Sequence, residues 1–455
     1  MHRIKNLDLL IDLYELTMAA VYFEKEMFDP ATFSLFVRGN SPSRSYFVNA
    51  GLEDVLNYLK ELKFDQEDLD YLERTGLFKK SFLSYLEKFQ FSGDVYALPE
   101  GRLFFSHEPI LEVTAPLIEA QIVETFIINA INFQSSIATK ASRCVYAGWP
   151  RKLVDFSLRR TQGTDAGMKV ARSSFIGGFK GTSNVLAGKV YDLPIVGTMA
   201  HSFITSFEKE IEAFRAFAEI FPQNTVLLVD TYDTISGAKN AAKIGKEMAE
   251  QERSLRGVRL DSGNMAQLSK KVRRILQQAG LNDTLIFASG GFDEYKIQKV
   301  ISEGADIDSF GVGTKMGVSA DIPYLDMAYK LVKYAGKPVL KMSPGKKTLA
   351  SDKQIFRFVS SEGKLEKDII SLREEKQKGG EKLLKKRMEK GSPVKEFPSL
   401  SQIQKVFLDE FSRLDSKYKS LEKVEEEYPV YLSPELKKVQ SRTMHRIRVK
   451  ELGES

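Results

Sequence analysis

The sequence predicts a mixed α/β fold built on a parallel sheet in the middle of the chain, and three observations support this. From residue 153 onward, short apolar runs alternate with helical segments: LVDF, PIV, TVLLV, RGVRL, TLIFA and SFGV. Alternation of this kind marks parallel strands joined by helical crossovers. Each run ends in a polar or glycine cluster (SLRR, GTMAHS, DTYDT, DSGN, SGG and GT). In parallel α/β sheets, above all in closed barrels, chemistry gathers at the carboxyl ends of the strands, so an enzyme is the leading class. The same texture is missing before residue 113 and thins after about 335, so a different architecture flanks the sheet.

The flanks read as follows. Residues 9–24 place apolar positions at helical spacing, with Tyr14 in the first half as a core or interface aromatic. Residues 31–37 alternate as a strand, closed by the turn residues Arg38-Gly39-Asn40. Helices around 50–62 and 65–90 and short strands near 93–97 and 102–105 complete an α+β unit. Residues 116–143 form one long helix or two joined helices entered at Pro116, with Lys140 and Arg143 on a solvated last turn. Beyond the sheet, 354–371 reads as a β-hairpin turning at Glu362-Gly363, and 372–397 as a charged helix or linker. A helix near 402–423 and a basic tail follow.

Composition narrows the function. A chain of 455 residues exceeds one ordinary core, so two or three domains are expected. Lys plus Arg exceeds Asp plus Glu by 67 − 61 = 6, spread along the chain, which argues against nucleic acid and fits anionic small substrates. The single cysteine, Cys144, excludes an intrachain disulfide and has no zinc-site neighbours. Asp8, Asp12 and Glu15 interrupt the first apolar run, which argues against a signal peptide or membrane span and for a cytoplasmic protein.

The densest stretch is 156–207, with Arg159 and Arg160, the turns Gly177-Gly178, Gly181-Thr182-Ser183 and Gly197-Thr198, and His201. Glycine turns expose N–H donors and arginines offer a planar charged fork, so the stretch reads as an anion site. Later strand ends add Asp230 and Asp233, then Arg259 and Asp261. Carboxylates there suit ribose hydroxyls or a Mg²⁺ bridging pyrophosphate oxygens, although Asp233 and Asp261 are also in position to cap helices. The loops Ser289-Gly290-Gly291 and Gly311-Val312-Gly313-Thr314 end the last two runs, where a barrel cradles phosphate on backbone amides. His201 has no nucleophilic serine or cysteine motif and no second histidine at metal spacing, which leaves acid/base or phosphate-accepting chemistry. There is no P-loop.

These residues carry a resemblance. IDLYELTMA, FSLRRTQGTDAG, GGFKGTSNVLAGKVYDLPIVGTMAHSF, LLVDTYDT, GVRLDSGN and IDSFGVGT with the following YKLV, in that order, resemble the nicotinate phosphoribosyltransferase family over most of the chain. The resemblance implies a distorted phosphoribosyltransferase-type α/β barrel (113–335) and a sandwich-like α+β domain. The latter would be built from an N-terminal segment (1–112) and a returning C-terminal segment with a charged helical region (336–455). It implies a homodimer with shared active sites that makes nicotinate mononucleotide and pyrophosphate from nicotinate and phosphoribosyl pyrophosphate. Mg²⁺ would assist, and ATP as co-substrate would drive the step through phosphorylated His201.

Carried over by position, Tyr14 would reach the pyridine ring from the neighbouring subunit, with Leu158, Arg159, Thr198, Ser202 and Arg259 around nicotinate. Asp230 and Asp261 would serve ribose or metal and act beside His201 in catalysis. Ser289, Gly290, Gly291, Gly311, Gly313 and Thr314 would hold the phosphoribosyl group. Nicotinamide-using relatives carry an aspartate where this chain has Ser183, and an aspartate would repel a carboxylate, so Ser183 favours the acid. Asn264 departs from the family's usual aspartate in GVRLDSGN. A nicotinamide-using enzyme and a non-catalytic ligand-binding homologue are the alternatives. A phosphosugar aldolase or isomerase would need a buried catalytic lysine or paired glutamates at strand ends.

Overall fold

The computed structural model describes residues 7–39, 44–343, 348–422 and 426–453. Asn40 and Lys423, expected in a turn and at a helix end, lie outside them. The chain divides into two compact units, Met1–Ser136 with Tyr324–Ser455, and Ile137–Pro323.

The unit 137–323 holds the parallel sheet. Its strands are Lys152–Asp155, Val226–Leu228, Gly257–Leu260, Leu285–Ala288 and Ser309–Val312. They lie in the order first, fifth, fourth, third, second, and every pairing is parallel. Leu153, Leu227, Val258, Ile286 and Phe310 are buried, which is why the apolar runs form strands. The run PIV does not become a strand. Ile195 makes a single bridge to Thr182, which bridges Asp155. Pro194 lacks an N–H to donate to a ladder, and the sheet continues past its first strand only through isolated bridges.

Three crossover helices begin on the residue types their strand ends supply. Asp233, Asn264 and Asp293 accept from the backbone N–H groups of Ser236, Gln267 and Lys296 at 2.8, 3.1 and 2.9 Å, opening helices Thr234–Ala249, Met265–Gln278 and Glu294–Ser302.

The segment entered at Pro116 is two helices, Leu117–Gln121 and Glu124–Gly148. Because the second runs five residues beyond Arg143, Lys140 and Arg143 do not sit on a solvated last turn. Both are buried, with Lys140 Nζ 2.6 Å from Glu294 and 2.7 Å from Asp321, and Arg143 Nε 3.1 Å from Glu294. Cys144 is buried beside them, and desolvation pushes its thiol up.

In the other unit, a seven-stranded sheet runs Lys337–Pro338, Met327–Tyr334, Pro30–Val37, Leu111–Pro116, Asp94–Ala97, Lys385–Glu389, Ser392–Pro393. Residues 65–90 form two helices, Gln66–Arg74 and Lys80–Leu86, because Gly76 at φ 68° ends the first. The charged segment 372–397 contains no helix. It supplies the strands Glu381–Lys382, Lys385–Glu389 and Ser392–Pro393, and Lys386 pairs across the ladder with Asp94 at 2.9 Å. The hairpin strands Lys353–Val359 and Leu365–Leu372 pair as expected. Among the described residues, no helix is long and apolar enough to cross a membrane.

That hairpin carries a buried charge cluster. Arg357 bonds Asp368 through Nε at 3.0 Å and Nη2 at 2.5 Å, and Glu410 through Nη1 at 2.6 Å. Removing the guanidinium would take the countercharge from the buried Asp368 carboxylate, while Glu410 would keep Arg102 at 3.0 Å and the Leu103 N–H at 2.6 Å. Arg357→Met is therefore expected to lower stability by about 3–5 kcal/mol in urea unfolding. A loss under about 1 kcal/mol would contradict this reading of the cluster.

Candidate functional site

The polar residues predicted at the strand ends form a connected set in the unit 137–323. The first strand ends in Asp155, which is buried and accepts from Ser157 N at 2.8 Å, Ser157 Oγ at 2.5 Å and Thr182 Oγ1 at 2.7 Å. Burial pushes its carboxyl up despite these bonds. This network fixes where the chain goes next. It leads into the 3₁₀ turn Leu158–Arg160, whose three residues are exposed, and it ties down Ser183, whose N–H donates to Asp155 O at 2.8 Å.

The third strand delivers Arg259, half-buried, whose Nη1 donates to Thr198 Oγ1. Its Nε is buried and has no partner. Desolvation lowers the guanidinium's pKa, Asp261 and Asp230 oppose that, and the charge of Arg159 reinforces it. Arg159 is thus within electrostatic reach of Arg259.

Asp230, after the second strand, accepts through Oδ2 from Asp261 N at 3.0 Å and Ser262 Oγ at 2.6 Å, while its Oδ1 is buried without a partner. Asp261 Oδ1 in turn accepts from Ser289 Oγ at 2.5 Å. Three successive strand ends are therefore laced together by two carboxylates. Asp233 and Asn264 cap helices. An asparagine does that as well as an aspartate, so the departure from the family's pattern costs nothing in the fold.

His201 opens the short helix His201–Thr205, and its Nδ1 lies 3.1 Å from Thr231 Oγ1. Whichever tautomer is present, Nε2 is the ring nitrogen left for other chemistry. Ser202 is exposed on the same turn.

At the last two strand ends, Gly290 adopts φ 99°, and a Cβ there would lie 2.0 Å from Asp261 O. Gly311 faces the Phe156 and Phe287 rings, and Gly313 precedes the turn Thr314–Gly317. Ser289 is buried, whereas Gly291 and Thr314 are exposed. Tyr14 belongs to the other unit, on helix Leu13–Glu24. It is 45% exposed, and burial with the charges of Glu124 and Glu15 raises its hydroxyl's pKa.

Sequence reasoning did not single out Asp155, Thr231, Lys296 or Lys315. Thr231 directly follows Asp230 in LVDTYDT and could have been flagged by that position. The two lysines had no signal, since each looks like a solvated helix residue. Among the described residues, no group of three or more His, Cys, Asp or Glu side chains is placed to hold a metal ion.

The close approach at Gly290 yields a direct test. Gly290→Ala must adopt a positive φ and displace the Asp261 carbonyl, so it should lower the thermal midpoint by several degrees. An alanine variant with an unchanged midpoint would contradict this geometry.

Residues 9–132 match the nicotinate phosphoribosyltransferase N-terminal domain, 151–364 the nicotinate phosphoribosyltransferase family, and 378–440 the nicotinate phosphoribosyltransferase C-terminal domain. A nicotinate phosphoribosyltransferase of Mycobacterium tuberculosis is 48% identical over 77% of this chain and 75% of its own. One of Bacillus subtilis is 37% identical over 97% of this chain and 96% of its own. Human nicotinic acid phosphoribosyltransferase superposes with a TM-score of 0.85 at 27% identity, covering 95% of this chain and 99% of that one. A nicotinate-nucleotide pyrophosphorylase of Pyrococcus furiosus gives 0.74 at 26%, covering 91% and 99%. With its motifs on the strand ends of a parallel sheet and relatives matching nearly end to end, the chain belongs to the nicotinate phosphoribosyltransferase family.

Proposed function

We propose that this enzyme joins nicotinate to phosphoribosyl pyrophosphate, releasing pyrophosphate and forming nicotinate mononucleotide, a salvage step towards NAD. The observation that carries the reading is Arg259, a desolvated guanidinium with an unpartnered buried Nε–H, within electrostatic reach of Arg159. A buried donor without an acceptor is costly, and a carboxylate supplies an acceptor and a countercharge together. Leu158, Arg159, Thr198 and Ser202 complete this end, and Ser183 adds no negative charge against the acid.

In the reaction, the pyridine nitrogen forms a bond to C1 of the ribose as the C1–O bond to pyrophosphate breaks. The carbon passes through an oxocarbenium-like state that nearby carboxylates stabilise. Asp230 and Asp261 suit that role, because hydrogen bonds from Asp261 N, Ser262 and Ser289 hold them in place. The same pair fits Mg²⁺, which is usually held by one or two carboxylates with substrate phosphates completing its shell. The unpartnered Asp230 Oδ1 is the atom available for it. When bound, the ion would take up charge developing on the leaving pyrophosphate. Ser289, Gly290, Gly291, Gly311, Gly313 and Thr314 would cradle the ribose phosphate.

His201 is the proposed acceptor of the ATP γ-phosphoryl group at Nε2, with ADP leaving and the P–N bond later hydrolysed by water. Its contact with Thr231 orients the ring for this. The homodimer is supported by apolar groups left exposed on helix Leu13–Glu24, namely Leu13 at 54% and Val21 at 57% beside Tyr14. In a dimer, Tyr14 would serve the partner's site.

A mass-spectrometric product assay with phosphoribosyl pyrophosphate, Mg²⁺ and either nicotinate or nicotinamide, with and without ATP, tests this. The mononucleotide of the acid should form and ATP should raise its yield, while His201→Ala keeps slow transfer and loses the ATP effect. Product from the amide alone would favour a nicotinamide-using enzyme, and no product would favour a binding protein. Undiminished ATP stimulation in the alanine variant would remove the phosphohistidine.

A further inference from the structure

The unit formed by 1–136 and 324–455 holds a cavity of about 190 Å³, lined by none of the residues assigned to substrates above. Leu52 and Leu56 of helix Leu52–Glu61, Ile403 and Val406 of helix Leu400–Arg413, and Phe397 before the latter give it apolar walls. The fold holds these walls apart without an occupant. Glu100 Oε1 accepts from Gly51 N at 2.6 Å and Leu52 N at 3.2 Å, which anchors the first helix. Gly101, at φ 79°, lets the same turn approach the second helix, where a Cβ would lie 2.5 Å from Ile403 O. Ser399 and Gln402 cap that second helix reciprocally. One polar group in the lining is unmatched. Arg387, half-buried on strand Lys385–Glu389, has its Nε buried without an acceptor. Three carboxylates also line the cavity, and none of them accepts from that Nε. Glu100 is engaged at the helix start, Glu53 sits in the first turn of the same helix, where the dipole favours it, and Glu396 is exposed next to the exposed Lys395.

We propose that this cavity is a second ligand site, which takes a single-ring aromatic monocarboxylate with its ring between the two helices and its carboxylate on Arg387. A cavity walled by apolar side chains alone would suit a neutral apolar guest, and one of about 150 Å³ accepts a molecule the size of benzene. The volume here therefore admits one ring and a small substituent. The guanidinium decides what the substituent is. A buried donor without an acceptor is costly, and a carboxylate offers two oxygens that match the planar fork together with a countercharge. Burial lowers the Arg387 pKa, with the charge of Glu100 opposing, so an anion beside it would also relieve the cost of desolvation. The site lies outside the residues assigned to either substrate and stands whether or not the proposed reaction does.

Benzoate is the probe. In calorimetric titration of the full chain it should bind with a Kd of about 1 mM or tighter. Benzyl alcohol, with the same ring and no charge, should bind at least about tenfold more weakly. Arg387→Met keeps the bulk but removes the fork, and Val406→Trp fills the space while leaving Arg387 in place. Each should weaken benzoate at least about tenfold, with thermal midpoints measured alongside to confirm folding. Arg259→Gln, which alters the nicotinate end of the other unit, should change benzoate affinity by less than about twofold. Should Arg387→Met fail to fold, Val406→Trp and the comparison with benzyl alcohol decide. The site would be overturned by a wild type that binds no benzoate at about 10 mM, or that binds benzyl alcohol equally well. Benzoate binding that survives both cavity variants and falls in Arg259→Gln would overturn it too, by placing the ligand at the substrate site.

Discussion

The site depends on a charge balance at one strand end. Arg259 is drawn out of water, which disfavours its charge, and the carboxylates Asp261 and Asp230 offset part of that cost. They do so as near neighbours rather than as direct partners, because their own hydrogen bonds go to Asp261 N, Ser262 and Ser289. The arrangement leaves an unpartnered donor, Arg259 Nε, and an unpartnered acceptor, Asp230 Oδ1, in the same cluster. A buried pair that was fully satisfied would be a structural feature. One with spare capacity on both sides is suited to a ligand with an anionic end and a hydroxylated or cation-bearing end, which is what the proposed substrates offer.

That balance rests on backbone placement more than on side-chain reach. The parallel strands are three or four residues long, so each polar residue follows directly on a buried apolar one and has little freedom to wander. Asp155 fixes the path after the first strand, Asp230 clamps the backbone after the third, and Gly290 lets the fourth strand's loop approach Asp261 to a distance no side chain would allow. The proposed catalytic carboxylates are thus also the local scaffold. Replacing them should affect both placement and charge, which is why Arg259 is the cleaner probe of specificity.

Much of this was legible in the chain. Five of the six apolar runs became strands of one parallel sheet, because a strand buried on both faces needs a short continuous apolar run and a polar stop, and both are visible in sequence. The sixth failed at Pro194, where apolar character and hydrogen-bonding capacity part company. The strand Leu111–Pro116 went unread because Glu112 interrupts its pattern, and only tertiary partners, Lys353 at 2.9 Å and Arg373, make that glutamate acceptable inside. The segment 372–397 misled for the opposite reason, since its charges suggested solvated helix while its cross-strand partners lie nearly 300 positions away. Lys140 and Arg143 were misplaced because burial of a paired cation depends on Glu294 and Asp321, distant in sequence. Within the site, residue types at strand ends were readable, but how their hydrogen bonds were shared was not. Asp233 settled as a cap, Asp230 as a clamp, and the ion pair of Lys315 with Asp293 emerged only from the fold.

The central claim is that Arg259 selects a carboxylate over its neutral amide. It is tested most directly by the ratio of kcat/KM for nicotinate to that for nicotinamide, compared between the wild type and Arg259→Gln. Loss of a desolvated charge-assisted contact should lower that ratio at least about tenfold, with nicotinate accounting for the fall. An unchanged ratio, with both substrates weakened equally, would show that Arg259 supports the site without reading the substrate's charge, and the account would fail.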